Sequence, residues 1–375
     1  MLPHVPWALL FACLSVAGIG IWNLASASRP PHSPVWSMQL VYLGIGLVAV
    51  VGVALVDYRL IQRAVIPIYL LNIALLLALK FMGHRAKGAE SWLVLGPFRM
   101  QPAEFMKLGM ILMLAKFFHD DYSPSRSGYG FLRLLLPAVL SIVPIFIVLI
   151  EPELGTSLMM LFTAATVILF ARVRWYVVAV IGVGALVAAV VLWNDWVREQ
   201  PEPRVTVIRH FMKKHQVERI SSWLDPTTDL RGANYHSMQS KIAVGSGGLS
   251  GKGWMKGTQT GLFFLPEQHT DFIFSVLAEE HGFLACLLLL ILYGAIFVAA
   301  LGVAYVARDR FGAFLAVGVA AMIFWQVFEN IGMVTGLMPV TGITLPLMSY
   351  GGSSMVSVLI GIGLLVNVSM RRHIF

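Results

Sequence analysis

Charge is what this chain lacks most. Asp, Glu, Lys and Arg together make up 12% of its 375 residues, against about 25% in soluble domains. That shortage excludes an ordinary water-soluble globule. Hydrophobic residues reach 58% and the mean hydropathy is +0.79, so the chain reads as an integral membrane protein. Cysteine is nearly absent. Cys13 and Cys286 stand alone in apolar runs, which excludes a disulfide framework and any cysteine-based metal spacing. The first apolar run has no basic leader and no small-residue cleavage site, so it is expected to be a retained helix rather than a removed signal peptide. No fixed-period repeat and no low-complexity tract is present, and a single domain over residues 1–375 is expected. What charge there is leans positive, +8 net. That excess fits basic loops on one membrane face, or an attraction for anionic lipid or substrate.

What the chain has is long apolar runs. A spanning helix needs roughly 20 mostly apolar residues, and on that rule about ten spans are expected. They fall near Trp7–Ala25, Val35–Val56, Ala64–Met82, Pro102–Phe118, Leu132–Ile150, Gly155–Phe170, Trp175–Trp193, within Phe272–Ala304, near Phe311–Thr335 and near Ser353–Val368. The expected fold is an all-α polytopic membrane protein with one large loop, about residues 194–270, between helices seven and eight. One set of helix ends carries Arg59, Arg63, Lys116, Arg126, Arg133, Arg172, Arg174, Arg308, Arg310, Arg371 and Arg372. The other carries Arg29, Lys80, Arg85, Lys87 and Arg99. Positive loops stay in the cytoplasm, so both termini are expected there and the large loop outside.

The outer ends hold the unusual residues. Leu265-Pro266-Glu267-Gln268-His269-Thr270-Asp271-Phe272 closes the large loop and leaves Asp271 where apolar sequence resumes. A carboxylate at the edge of a low-dielectric region usually pairs, binds an ion or does chemistry. In Arg99-Met100-Gln101-Pro102-Ala103-Glu104-Phe105-Met106-Lys107, Pro102 suits a first helical turn, and Glu104 and Lys107 share a face at i and i+3. Two readings stand. In one, Glu104 and Lys107 form an internal ion pair and Trp92 anchors at the membrane interface. In the other, Arg99 and Lys107 are the cations of a pocket for an anionic head group. Glu151-Pro152-Glu153 heads the sixth helix, either complementing its dipole or serving the site. Glu329 and Asn330 lie in an apolar span and must face the bundle interior or a cavity. The Pro- and Gly-broken stretch after them must be buried in protein or line water.

Two tempting motifs fail. Arg198–Arg219, with His210 and His215, is expected to be a solvated amphipathic helix, and its spacing is not that of a zinc-binding His-Glu-x-x-His helix. Gly245-Ser246-Gly247-Gly248-Leu249-Ser250-Gly251-Lys252-Gly253 looks nucleotide-binding. A phosphate loop would need glycine where Ser246 stands and Ser or Thr where Gly253 stands. What remains is a backbone-rich loop that either approaches a ligand closely or simply turns.

Taken together, Arg99 to Glu104, Glu151 to Thr156, Leu265 to Phe272 and Asn330 to Ser354 resemble the SEDS family of shape, elongation, division and sporulation proteins. The resemblance runs in order over nearly the whole chain. Asn330-Ile331-Gly332-Met333-Val334 and Gln239 to Gly248 are similar to its elongation branch rather than its division branch. Ala103 stands where the family often has Ser, and Glu153 where Asp is usual. The resemblance implies a peptidoglycan glycosyltransferase of the bacterial cytoplasmic membrane that polymerises lipid II on its periplasmic face. It implies a single-pass class B penicillin-binding transpeptidase as partner and a place in the elongation machinery. The other expected partners are the undecaprenyl-pyrophosphate glycan and membrane lipid, and nucleic acid is not among them. The family's essential acid falls on Asp271, the expected general base, its pKa raised by desolvation. The expected substrate-binding set is Trp92, Arg99, Gln101, Glu104, Lys107, Lys252 and His269, with Lys256 a weaker cation. Magnesium or manganese could share the neutralisation of the pyrophosphate, but no residue cluster demands a metal. A lipid II flippase is the competing class, and a recruiting scaffold a third.

Overall fold

The computed structural model describes residues 4–28, 35–82, 84–86, 89–95, 98–121, 128–151, 153–198, 219, 222–224 and 233–371. Helices α1 (Trp7–Ala27), α2 (Val35–Leu55) and α3 (Tyr58–Met82) lead into three short strands, β1 (His84–Ala86), β2 (Ala89–Leu95) and β3 (Phe98–Met100). Then come α4 (Pro102–Asp120), α5 (Phe131–Ile150), α6 (Leu154–Phe170) and α7 (Trp175–Arg198). Two shorter helices, α8 (Ala233–Ser246) and α9 (Thr258–Gly261), precede the long α10 (Ile273–Val306), α11 (Arg310–Thr335) and α12 (Gly352–Met370).

The chain is a multi-pass helical membrane protein, and a helix lies at each of the ten expected positions. Seven are long and apolar enough to span by length and composition: α1, α2, α3, α5, α10, α11 and α12. α6 and Trp175–Val191 of α7 are apolar but shorter. α4 carries Glu104, Lys107, Lys116 and Asp120, which lipid would reject. The fold resolves this by enclosing α4, whose residues from Pro102 to Leu112 are nearly all buried. α3 starts at Tyr58, well before the expected Ala64. Arg59 and Arg63 interrupt the apolar run but sit exposed on the first turns, and the Asp57 carboxylate accepts the Arg59 N–H at 2.7 Å.

The strands were not expected. They form an antiparallel meander in the order β1-β2-β3, with Leu93 opposite Met100 and Val94 opposite Arg99. Ser91-Trp92-Leu93-Val94-Leu95 is too short to span but has the aromatic and branched residues that favour a pleated surface.

α11 and α12 form the centre, with 72% and 83% of their apolar windows buried against 28% for α2 and α3. α11 packs on α4, α6 and α10, and α12 packs on α2. Small residues make these approaches possible. A Cβ at Gly318 would stand 2.4 Å from Ile111, so α11 and α4 come closer than an alanine there permits. α10 is broken at Gly282, whose φ of 71° is left-handed. Alternation of the helices brings the starts of α4, α6, α10 and α12 and the end of α11 to one end of the bundle. Every buried charged side chain among the described residues lies there: Glu104, Lys107, Glu279, Glu280 and Glu329.

Candidate active site

Asp271 sits on a compact turn immediately before α10. Glu267, at φ 57°, accepts the backbone N–H groups of Thr270, Asp271 and Phe272 at 3.1, 3.1 and 3.3 Å. The turn is fastened from several directions. Asn330 Nδ2 donates to the carbonyls of Asp271 (2.8 Å) and Ile343 (2.6 Å). Ser349 Oγ donates to the Thr270 carbonyl at 2.6 Å, and Tyr350 N–H to the His269 carbonyl at 2.9 Å. Gln268 Nε2 reaches the carbonyl of Ala27, ending α1, at 2.9 Å. Gln39 Nε2 on α2 holds the Ser349 carbonyl at 2.8 Å. The intramembrane Asn330 noted in the sequence is therefore the clamp that joins the Asp271 turn to the broken stretch after α11. These bonds satisfy part of the backbone of that stretch, as burial demands.

The Asp271 side chain is half-buried rather than enclosed in an apolar edge. Its Oδ2 lies 3.4 Å from where a Cβ on Gly342 would stand, and the Arg219 guanidinium lies 3.8 Å from the same point. Arg219 Nη1 also donates to the Thr341 carbonyl at 3.0 Å. A cation thus flanks the same glycine as the acid.

Beside Thr341 lies a buried polar cluster built on α4. Pro102 opens the helix and Gln101 N–H donates to Ser353 Oγ at 2.9 Å, tying α4 to the start of α12. Gln101 Nε2 donates to Glu153 Oε1 at 2.5 Å, tying α4 to the start of α6. One turn in, Lys107 Nζ lies 2.8 Å from both oxygens of Glu104, with side-chain exposures of 2% and 8%. Ser357 Oγ adds a 3.1 Å bond to Glu104 Oε2. Glu329 on α11 is buried, faces the Thr341 hydroxyl, and is within electrostatic reach of Lys107. Neither of its oxygens has a hydrogen-bond partner among the described residues. Lys107 is therefore paired with Glu104 and within electrostatic reach of a second carboxylate. Gly155 lets the Thr341 loop close on α6, since a Cβ there would stand 2.9 Å from the Thr341 Cβ. Thr341 and Gly342 are the hinge of the site, Gly342 against Asp271 and Thr341 against Glu329.

The sequence candidates divide accordingly. Gln101, Glu104 and Lys107 are brought together. Asp271 joins them through Gly342 and Thr341. His269 shares the Asp271 turn, its ring 6.0 Å from that of Tyr350. Trp92 is half-buried on β2. Arg99 is on β3, opposite Val94, but its side chain lies outside the described residues. So does the expected helix over residues 198–219, apart from its two ends.

Lys252 is placed elsewhere. Its Nζ bonds Glu279 Oε1 at 2.7 Å and Thr258 Oγ1 at 2.8 Å. Glu279 also accepts the N–H groups of Thr258, Gln259 and Thr260 at 2.8, 2.9 and 3.1 Å and the Thr258 and Thr260 hydroxyls at 3.1 and 2.9 Å. That carboxylate caps α9, and Lys252 neutralises it. Lys256 is exposed on the same loop. The glycine-rich loop is a clasp. Lys252 and Gly253 N–H groups bond the Glu279 and Glu280 carbonyls at 3.0 and 2.9 Å, and Phe283 N–H bonds the Gly248 carbonyl at 2.9 Å. A Cβ on Gly251 would stand 2.2 Å from the Glu280 oxygen. The loop thus satisfies the backbone that the Gly282 break exposes.

Arg219 and Ser357 had no signal in the sequence. Arg219 ends a mixed-charge segment, and Ser357 is one small polar residue in an apolar helix. Among the described residues no group of three or more His, Cys, Asp or Glu is placed to hold a metal ion.

Residues 7–374 match the model of the FtsW/RodA/SpoVE cell cycle proteins. The peptidoglycan glycosyltransferase MrdB of Escherichia coli K12 is 36% identical over 365 residues, which cover 97% of this chain and 92% of that one. Among solved structures, a chain from a peptidoglycan synthase complex superposes with a TM-score of 0.80 at 31% identity, covering 98% of each chain. The rod shape determining protein RodA of Thermus thermophilus does so with a TM-score of 0.68 at 30% identity, covering 98% of this chain and 97% of that one. With this coverage and the shared helical frame, the chain belongs to the FtsW/RodA/SpoVE family of cell cycle proteins.

Proposed function

We propose that this chain is a peptidoglycan glycosyltransferase of the elongation branch, which joins lipid II units into glycan strands with Asp271 as general base. One observation carries the assignment of roles. Asp271 shares a glycine with Arg219 and is linked through Thr341 to the buried Glu104–Lys107–Glu329 cluster. An acid and buried cationic charge at one end of a helical bundle suit a reaction in which one group loses a proton and another gains negative charge.

The acceptor is the GlcNAc 4-hydroxyl of lipid II, a weak nucleophile. As its oxygen bonds to C1 of the donor MurNAc, its proton passes to the Asp271 carboxylate. The bond from C1 to the pyrophosphate oxygen breaks, and undecaprenyl pyrophosphate leaves with the electron pair. Lys107 and Arg99 are the cations proposed to stabilise that developing charge, while Glu104 and Ser357 hold the Lys107 ammonium in place. Gln101 and Glu153 set the spacing of the α4 and α6 starts. Trp92 and His269 line the approach. Lys252 leaves the substrate set and takes the structural role described above.

The Lys and Arg bias of the opposite ends supports an outward-facing site, with the lipid tails left in the bilayer. A transpeptidase partner is supported by the related chain's membership of a complex that coordinates polymerization and crosslinking. Transport across the bilayer would need polar groups through the whole depth, whereas the described buried charges gather at one end.

The test is purified Asp271→Asn with lipid II, products separated by size. General-base removal should lower polymerisation by about 10²–10⁴-fold with unchanged thermal stability. Wild-type polymer from the Asn variant would remove Asp271 from the base role. Transfer of lipid II across vesicles without polymer formation would favour transport.

A further inference from the structure

The end of the bundle opposite Asp271 holds a cavity that the glycosyl-transfer chemistry does not use. It has a volume of about 350 Å³ and is lined by Arg133, Arg174, Tyr176, Phe131, Gly128 and Gly130. Its position follows from the helix directions. α5 ends at Ile150 beside Glu153 and the active-site cluster, so its start, with Arg133, is at the far end. α6 runs back, and α7 starts there too, just after Arg174.

The walls are built rather than incidental. The loop before α5 pairs with the turn before α7: Tyr129 N–H donates to the Arg172 carbonyl and Arg174 N–H to the Tyr129 carbonyl, both at 3.0 Å. Tyr129 Oη is fixed on the Asp121 carbonyl at 2.6 Å, and its ring packs edge-on against Phe118. Gly128 is left-handed at φ 75°, and a Cβ there would stand 2.2 Å from the Arg172 oxygen. Gly130 keeps the cavity open, since its Cβ would stand 2.9 Å from Tyr176 Oη. Arg174 is oriented by bonds from Nε to the Gly128 carbonyl (3.1 Å) and from Nη1 to Tyr176 Oη (3.3 Å). The first turn of α5 opens on Gly130, with no side-chain cap, so its field adds to that of the two arginines.

The rim is apolar and faces outward. Leu132 is 91% exposed, Trp175 80% and Leu135 64%. In a bilayer these side chains meet acyl chains, with Trp175 at the depth where indoles collect.

From the cavity, the two arginines that line it and its apolar rim we propose a specific site for an anionic glycerophospholipid of the leaflet opposite the active site. Its phosphodiester sits between Arg133 and Arg174 and its acyl chains lie along Leu132, Leu135 and Trp175. The volume admits a glycerophosphate head group and leaves the chains in the membrane. Guanidinium geometry matches phosphate oxygens, and anionic lipid is concentrated in the cytoplasmic leaflet, where the arginine-rich helix ends are proposed to lie.

The full chain in nonionic detergent, stripped of lipid, is titrated with dihexanoylphosphatidylglycerol, and bound lipid is counted by native mass spectrometry. One saturable lipid is expected. Arg133→Gln should weaken it by about tenfold or more, as loss of a charge-assisted phosphate contact does. Gly130→Val should abolish it, with a melting curve recorded to show that the variant is folded. Arg133 is exposed, so its variant carries the test if Gly130→Val fails to fold. Arg59→Gln with Arg63→Gln, at the same end of the bundle, should leave binding unchanged. An equal loss in that control would mean diffuse surface charge and overturn the site. Equal binding of dihexanoylphosphatidylcholine would overturn the anionic preference. Full competition by inorganic phosphate at matched concentration would mean a free-phosphate pocket and overturn the lipid assignment.

Discussion

Replacing Lys107 by Met separates the two readings that the sequence left open for the Glu104–Lys107 pair. The exchange keeps most of the side-chain volume and removes the charge. Glu104 is then left buried with Ser357 Oγ at 3.1 Å as its remaining described hydrogen bond. Stranding one partner of a buried ion pair costs about 3–5 kcal/mol, so the melting temperature in detergent should fall clearly. Glu104→Gln added to Lys107→Met removes the stranded charge. An amide can still accept from Ser357, so most of the lost stability should return. Catalysis should not return with it, because the cation proposed to receive the developing pyrophosphate charge is still missing. The assay is a two-by-two cycle of melting curves alongside lipid II polymerisation, with binding of the transpeptidase partner measured on each variant. A double variant that regains both stability and polymerisation would make Lys107 a tether only. Loss of partner binding with chemistry intact would do the same.

Glu279→Gln should destabilise the chain by about 1–3 kcal/mol, because an amide cannot accept from all the N–H and hydroxyl donors gathered on the buried carboxylate; hydrogen exchange at residues 258–260 should report it. Lys252→Gln should then alter stability more than the rate of polymerisation per folded molecule, measured on the same preparation. Gly282→Ala should release the glycine-rich clasp, since a Cβ there would stand 2.3 Å from the Gly251 nitrogen on a left-handed residue; faster proteolysis within residues 245–253 is the readout. His236, half-buried on α8, has its pKa lowered from 6.5 by burial, with Glu267 opposing. The native state therefore favours the neutral ring, so its contribution is intact above pH 6.5 and is lost as pH falls below that value towards the lower folded pKa. Melting curves between pH 5 and 8 should lose part of their acid slope in His236→Gln.

The transmembrane frame was legible in the chain itself. A run such as Leu287-Leu288-Leu289-Leu290 has one low-energy place, and bilayer thickness sets the length of the apolar segment around it, so helix ends came within a few residues of expectation. The exceptions have a common cause. Arg59 and Arg63 interrupt hydropathy but not helical backbone, and the β2 residues pair only because β1 and β3 are at hand. The site was legible in part. Glu104 and Lys107 share a helix face, a local fact of spacing, and Asp271 stands out as an acid where apolar sequence resumes. Which of the many polar residues meet is not local. Arg219 reaches Thr341 across more than a hundred residues, Asn330 ties the Asp271 turn to Ile343, and Lys252 is drawn to Glu279 rather than to the Lys107 cluster. These pairings follow from how α4, α6, α11 and α12 converge, because a buried polar group must find its partner wherever packing has put one. The identity of the helices was thus set by composition and length, while the company each charge keeps was decided by the three-dimensional arrangement of the bundle.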